Sequence, residues 1–78
     1  MEIILNGERR EISEGMSVLE LIQQLRLPAD RLAVEFNLQI IKREQWAHCA
    51  LKQDDRLELV QFVGGGGSFR DDGGVMSL

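Results

Sequence analysis

The sequence carries a single strong signal for an amphipathic helix, and that signal lies among short runs of strand type. Ser17-Val18-Leu19-Glu20 has the form of a capping box, in which the two side chains accept hydrogen bonds from each other's backbone N–H groups. Apolar residues then recur at helical spacing, and Pro28 is predicted to end the helix. One amphipathic helix cannot bury its own apolar face, so the rest of the chain must supply a sheet that covers it.

Five short segments have the composition and alternation of strands. Residues 2–5 and 8–12 flank Asn6-Gly7, the pair preferred in the type I′ turn of a tight hairpin. The other predicted strands are residues 32–36, 39–41 and 56–63. The last of them is long and apolar, which favours a central position, and Trp46 is expected to fold back onto the core. The order β-β-α-β-β-β predicts an α+β fold of the β-grasp (ubiquitin-like) type, with a mixed sheet packed on one main helix.

The distribution of glycine divides the chain. Six of the eight glycines lie between Gly64 and Gly74. We therefore predict a β-grasp domain over residues 1–63 and a flexible glycine-rich tail over residues 64–78. A length of 78 residues leaves no room for a second core.

Charge and cysteine content exclude several classes of protein. The formal net charge is −4, and nucleic-acid binding through phosphates needs a basic face instead. One cysteine and one histidine argue against a disulfide scaffold and against a metal cluster. The sequence contains no signal peptide and no apolar run near the roughly 20 residues of a membrane span, so we expect a cytoplasmic protein.

The residues that could perform catalysis are poorly placed for it. His48 and Cys49 are adjacent, and neighbouring positions in a strand point to opposite faces, which disfavours a Cys–His pair. Two pairs of neighbouring acids lie in a predicted turn and in the tail, where no fixed separation is held. We therefore predict no catalytic residue, no metal site and no cofactor bound by the chain itself, and hence a protein that is not an enzyme.

The run Gly64-Gly65-Gly66-Gly67 has two interpretations. Its composition is that of a linker, and the Lys-Ser/Thr that a phosphate-binding loop requires does not follow it. However, it directly follows the last strand of a small ubiquitin-like body. Glycine has no Cβ, so such a tail can thread a narrow channel into another protein, where a terminal glycine carboxylate can attack ATP and then accept sulfur.

Several stretches resemble the ThiS family, the small sulfur carriers of thiamin biosynthesis. Ile41-Lys42-Arg43-Glu44-Gln45-Trp46-Ala47 is close to the family's V-P-R-E-Q-W segment and is the most specific match. Further matches are Leu5-Asn6-Gly7, Val18-Leu19-Glu20-Leu21-Ile22, Val34-Glu35-Phe36-Asn37, Asp54-Asp55-Arg56-Leu57-Glu58-Leu59-Val60 and Phe62-Val63-Gly64-Gly65-Gly66. The resemblance covers nearly all of residues 1–66.

The resemblance implies a carrier function. An E1-like adenylyltransferase of the ThiF type would adenylate the terminal glycine with ATP, and sulfur would replace the adenylate to form a thiocarboxylate. A thiazole synthase of the ThiG type would take that sulfur for the thiazole ring. By position, Gly66 would bear the thiocarboxylate, Gly65 would complete the diglycine pair, and Gly64 and Gly67 would flank it.

One departure from the family has a chemical consequence. Residues 67–78 follow Gly66, and while an amide bond joins Gly66 to Gly67 there is no carboxylate to adenylate. We therefore expect a protease to remove residues 67–78, with cleavage after Gly67 as an alternative register. Strand parity also suggests Ile4, Val60 and Phe62 as exposed apolar residues that dock the partner proteins.

Three alternatives remain open at this point. The chain could carry sulfur for molybdopterin or for an amino acid. It could be a ubiquitin-like modifier or interaction module, which isopeptide adducts would identify. It could also be a small domain that works with its tail intact, so that truncation after Gly66 abolishes its function.

Overall fold

The computed structural model of the protein describes residues 1–62 and the strand at residues 75–77. The elements, in chain order, are β1 (Glu2–Leu5), β2 (Glu8–Glu11), α1 (Val18–Gln24), a 3₁₀ helix (Ala29–Arg31), β3 (Leu32–Phe36), β4 (Gln39–Ile41), a second 3₁₀ helix (Arg43–His48), β5 (Arg56–Phe62) and β6 (Val75–Ser77). The predicted strands at 2–5, 32–36 and 39–41 are confirmed. The second strand ends at Glu11, and Val63 lies outside the described residues.

The longest strand, β5, lies at the centre of the sheet. The strand order is β2-β1-β5-β3-β4, and β6 pairs with β5. β5 runs parallel to β1, with Leu57 opposite Leu5, and antiparallel to β3, with Leu59 opposite Val34. The central position predicted for this strand is confirmed, and so is the β-grasp arrangement of a mixed sheet with one main helix.

The core lies between α1 and one face of the sheet. The helix contributes Val18, Leu21 and Ile22, which are at most 1% exposed. Alternation in the strands places every second residue on this face. The buried strand and loop residues are Ile3, Ile12, Leu32, Val34, Trp46, Leu51, Leu57 and Leu59. The expectation that Trp46 folds onto the core is confirmed.

Helix α1 begins as predicted but ends earlier. The Glu20 N–H donates to Ser17 Oγ at 3.1 Å, and the Ser17 N–H donates to Glu20 Oε1 at 2.9 Å. At the other end, Arg26 adopts a left-handed φ of 59°. The N–H groups of Arg26 and Leu27 turn back to the carbonyls of Gln23 and Ile22, a Schellman motif. This motif, rather than Pro28, ends the helix.

The segment from Lys42 to Cys49 packs on the start of α1. The Lys42 N–H donates to Gln45 Oε1 at 2.9 Å and the Gln45 N–H donates to the Lys42 carbonyl at 2.8 Å, which fixes the first turn of the second 3₁₀ helix. Trp46 is thereby directed into the core. The Val18 N–H donates to the Cys49 carbonyl at 2.9 Å and ties this segment to the helix.

Both tight hairpins turn through left-handed residue pairs. Asn6 and Gly7 have φ values of 50° and 84°, as the predicted type I′ turn requires. Asn37 and Leu38 repeat the geometry with φ values of 50° and 73°. Leu38 has a Cβ that this region disfavours, and its side chain is 80% exposed. A side chain this exposed gains little packing energy to offset the backbone strain.

We therefore expect Leu38→Gly to stabilise the protein by about 0.5–1 kcal/mol, since relief of the left-handed strain exceeds the entropy that glycine adds to the unfolded chain. Gln39→Gly, in the ordinary strand conformation next to it, is the matched control and should destabilise by about 0.5–1 kcal/mol. Urea denaturation measures both. Equal destabilisation by the two substitutions would show that Leu38 is not strained.

Candidate functional site

The predicted site lies at the carboxyl end of β5, where the central strand leads into the glycine run. The structure describes this strand as far as Phe62. The glycines predicted to react, Gly65 and Gly66, and their neighbours Gly64 and Gly67 lie outside the described residues. What the structure shows is the base from which that run departs.

The residues suggested for partner docking share a face of the sheet but do not form one patch. Alternation places Ile4, Val60 and Phe62 opposite the helix-covered face. Ile4 lies beside Arg56, four residues before Val60, which corresponds to roughly 13 Å along the strand. Val60 and Phe62 are neighbours on that face, and Phe62 is 47% exposed. The structure therefore groups Val60 with Phe62 and separates Ile4 from them.

The edge of β5 that faces β1 is completed by the side chain of Asn6. The Asn6 N–H donates to the Leu57 carbonyl at 2.9 Å. Beyond it, the Asn6 side-chain amide spans Leu59: the Leu59 N–H donates to Asn6 Oδ1 at 2.8 Å and Asn6 Nδ2 donates to the Leu59 carbonyl at 3.3 Å. The amide thus imitates one more residue of a strand after β1 has turned away.

Asn37 also bonds to the backbone of β5, but at the start of the strand and on the side that faces β3. The Asn37 N–H donates to the Arg56 carbonyl at 2.8 Å, and the Arg56 N–H donates to Asn37 Oδ1 at 2.9 Å. The Asn37 site is exposed, whereas Leu59, the partner of Asn6, is buried. Sequence reasoning identified Asn6 as a turn residue but missed the bonds that both asparagines make to β5.

Strand β6 was not predicted. It lies within residues 64–78, where the sequence analysis expected only a tail. Its backbone pairs with the last three residues of β5, with Val60 opposite Ser77, Gln61 opposite Met76 and Phe62 opposite Val75. The short apolar run after Gly73-Gly74 is the signal that could have indicated a strand.

The environment of Cys49 disfavours the thiolate, the nucleophilic form of its side chain. The side chain is half-buried, and burial raises the pKa of the Cys49 thiol, with the charge of Asp55 adding to the shift. His48 is the last residue of the second 3₁₀ helix and is exposed. The sequence argument assumed that both residues lie in a strand. In the structure His48 ends the 3₁₀ helix and Cys49 directly follows it.

The charged groups of the described residues form no metal centre. Within residues 1–62, no three His, Cys, Asp or Glu side chains are placed to hold a metal ion together. Arg9 contacts Glu2 at 3.2 Å and Asp54 at 3.1 Å, and these carboxylates raise its pKa further. All three side chains are exposed, so these ion pairs link β2 to the turn before β5 but contribute little to stability.

Comparison with known proteins identifies the family. The model of the ThiS family matches residues 3–66. The chain belongs to the ThiS family. The sulfur carrier protein ThiS of Escherichia coli is 35% identical over 66 residues, which cover 85% of this chain and 100% of that protein. A crystal structure of a thiamine biosynthesis protein (ThiS) from Geobacter metallireducens superimposes with a TM-score of 0.74 at 30% identity, and covers 85% of this chain and 100% of that one.

Longer proteins also match this ThiS-family chain. A thiazole synthase of Paramagnetospirillum magneticum is 38% identical over 71 residues, which are 91% of this chain but 22% of that protein. A second, from Magnetococcus marinus, is 35% identical over 66 residues, or 20% of its length. The chain thus spans about a fifth of these two relatives.

The most specific ThiS-family segment has a structural role in this chain. Gln45 closes the first turn of the second 3₁₀ helix, and Trp46 is 1% exposed in the core. The family match at Arg43-Glu44-Gln45-Trp46 is therefore explained by the role of Gln45 and Trp46 in folding.

We expect Asn6→Ala to destabilise the protein by about 1–3 kcal/mol, because it leaves the buried backbone groups of Leu59 without a partner. Asn37→Ala is the matched control: it has the same φ and the same kind of backbone bond, but water can replace it. The loss for Asn6→Ala should exceed that for Asn37→Ala by at least about 1 kcal/mol in urea denaturation. Equal losses would contradict the role assigned to Asn6.

Proposed function

We propose that the chain is a sulfur carrier of thiamin biosynthesis and that the carboxylate of Gly66 carries the sulfur. The observation that supports this most strongly is the extent of the family match, which ends at Gly66. The E. coli carrier is matched along its whole length by 66 residues, so the residues of this chain beyond the match correspond to nothing in that carrier.

In the proposed mechanism the chain is a substrate of other enzymes. A Gly66 carboxylate oxygen attacks the α-phosphorus of ATP, pyrophosphate leaves, and an acyl-adenylate forms on an E1-like adenylyltransferase. A sulfur nucleophile then displaces AMP to give the thiocarboxylate. A thiazole synthase receives that sulfur. The chain supplies the carboxylate and the surface that the partners bind, and ATP binds to the partner enzyme.

Peptide hydrolysis must come first in this sequence of reactions. The amide between Gly66 and Gly67 has no free carboxylate, so a protease has to remove residues 67–78 before adenylation. The partner proteins then reach Gly66 along the glycine run. We place their docking surface at Val60 and Phe62, which lie on the strand that leads into this run.

The alternative of sulfur carriage on cysteine is disfavoured by Cys49. This is the only cysteine in the sequence, it is half-buried, and its pKa is raised. Because the thiolate is the form that attacks a sulfur donor, a raised pKa disfavours this role for Cys49. We therefore favour the glycine carboxylate over Cys49 as the group that carries sulfur.

The cytoplasm is the proposed location, where ATP and the partner enzymes of this mechanism are available. In the part of the chain that the structure describes, no helix has the length and the apolar character to span a bilayer.

We expect a chain ended at Gly66 to exchange pyrophosphate with ATP in the presence of a ThiF-type adenylyltransferase, because its terminal carboxylate is free. The 78-residue chain should not do so. A truncated chain with Cys49→Ser is the control for the thiol and should retain full exchange. The account would be contradicted if the 78-residue chain were the better substrate, or if Cys49→Ser abolished exchange.

We expect Phe62→Ala in the truncated chain to raise the KM of that enzyme for the carrier about five- to tenfold, through loss of apolar contact at the interface. Ile40→Ala is the matched control, since Ile40 is 77% exposed but lies on β4, the strand at the sheet's far edge. The thermal midpoints of both variants should stay close to that of the parent. An equal rise in KM for Ile40→Ala would contradict the placement of Phe62 in the docking surface.

A further inference from the structure

We propose that the backbone edge of β5 at Gln61 is a strand-docking site, and that β6 occupies it in the uncleaved chain and thereby protects the glycine run from cleavage. The pairing of β6 is observed in the structure. The consequence for processing rests on the proposed function, in which the bond after Gly66 is the one to be cut.

The orientation of Gln61 follows from the bonds of the residues before it. Leu57 and Leu59 direct their backbone groups toward β1, where Asn6 meets both of them. Arg56 directs its groups the other way, toward Asn37. Because N–H and C=O groups alternate sides along a strand, Gln61 faces the same side as Leu57 and Leu59.

The strand that covers the first part of this edge does not reach Gln61. β1 pairs with β5 at Arg56 and Leu57, and the Asn6 amide extends the cover to Leu59. The next outward position is Gln61. In the observed register Met76 lies opposite it, so β6 continues the edge where Asn6 stops.

The composition of this edge explains why it needs a cover. β2, at one border of the sheet, consists of Glu8-Arg9-Arg10-Glu11, and such charges discourage pairing with another strand. The end of β5 reads Val60-Gln61-Phe62 and carries no charge. An uncharged strand edge is a template for any extended segment, and β6 is the segment that this chain provides.

The register places the residues on either side of the segment 63–74 opposite each other. Phe62 and Val75 lie opposite each other, and residues 63–74, which include the bond after Gly66, connect them. A protease takes up its substrate as an extended segment, and separation of β6 from β5 would lengthen the stretch of chain that it can engage. Three residue pairs make a weak ladder, so the separation can occur without unfolding of the core.

The test uses the 78-residue chain with Met76→Pro, which removes a backbone donor from the middle of β6. Asp71→Pro, outside the strand, is the matched control. Hydrogen exchange of the Gln61 amide is measured by NMR, and subtilisin cleavage between Gly64 and Gly67 by intact mass. For Met76→Pro we expect exchange and cleavage each to quicken about tenfold, and for Asp71→Pro neither to change appreciably. Equal rates in the parent and in Met76→Pro would overturn the proposal.

A second variant removes the concern that proline alters protease recognition. Phe62→Cys and Val75→Cys, with Cys49→Ser, place two thiols at facing positions of the ladder, within the range that a disulfide spans. The oxidised chain should be cut more slowly than the same chain after reduction. Failure to form the bond, or equal cleavage of both forms, would contradict the pairing.

These assays contain no ATP and no adenylating enzyme, so their outcome is independent of the carrier function. Exchange of pyrophosphate by the chain ended at Gly66, which lacks β6, tests that function separately. A protected Gln61 amide without adenylation would support the docking of β6 and contradict the carrier function. Adenylation with an unprotected Gln61 amide would support the carrier function and contradict the docking of β6.

Discussion

The structure depends on satisfying the backbone of its central strand. β5 is covered by β3 along one side, but β1 reaches only its first residues on the other. Each buried N–H and C=O group left open would cost about 1–3 kcal/mol. The chain meets this demand at the buried Leu59 with an asparagine side chain. At the half-buried Gln61, a strand from beyond the glycine run continues the cover. The same strand end is the point from which the proposed reactive tail departs.

This arrangement separates the roles of the two parts of the chain. Residues 1–62 form a body whose specific family segment, around Gln45 and Trp46, serves packing. The chemistry that we propose belongs to a glycine carboxylate outside this body. In this proposal the chain is a substrate, and the partner enzymes supply the catalytic groups.

The fold could be predicted from the sequence because its signals are local. A capping box, an Asn-Gly turn and alternating apolar residues each act over a few residues, and all three agree with the structure. The end of α1 could not be predicted in the same way. Arg26 takes the left-handed position usually held by glycine, so the sequence indicates Pro28 as the stop signal instead.

The candidate site was harder to predict because it depends on contacts between distant residues. The bonds of Asn6 to Leu59 join positions on separate strands, and a turn motif does not reveal them. Strand parity correctly placed Ile4 on the face of Val60 and Phe62, but parity says nothing of distance along the sheet. β6 was missed because a short apolar run after two glycines has too little length to predict a strand alone.

The central claim is that Gly66 becomes the terminal residue and carries sulfur. The intact mass of the protein, isolated from its own cells while thiamin is being made, tests this most directly. The account predicts a species that ends at Gly66, part of it with sulfur in place of one carboxylate oxygen. A protein in which Gly66 remains joined to Gly67 throughout would contradict the account and favour a domain that works with the following residues attached.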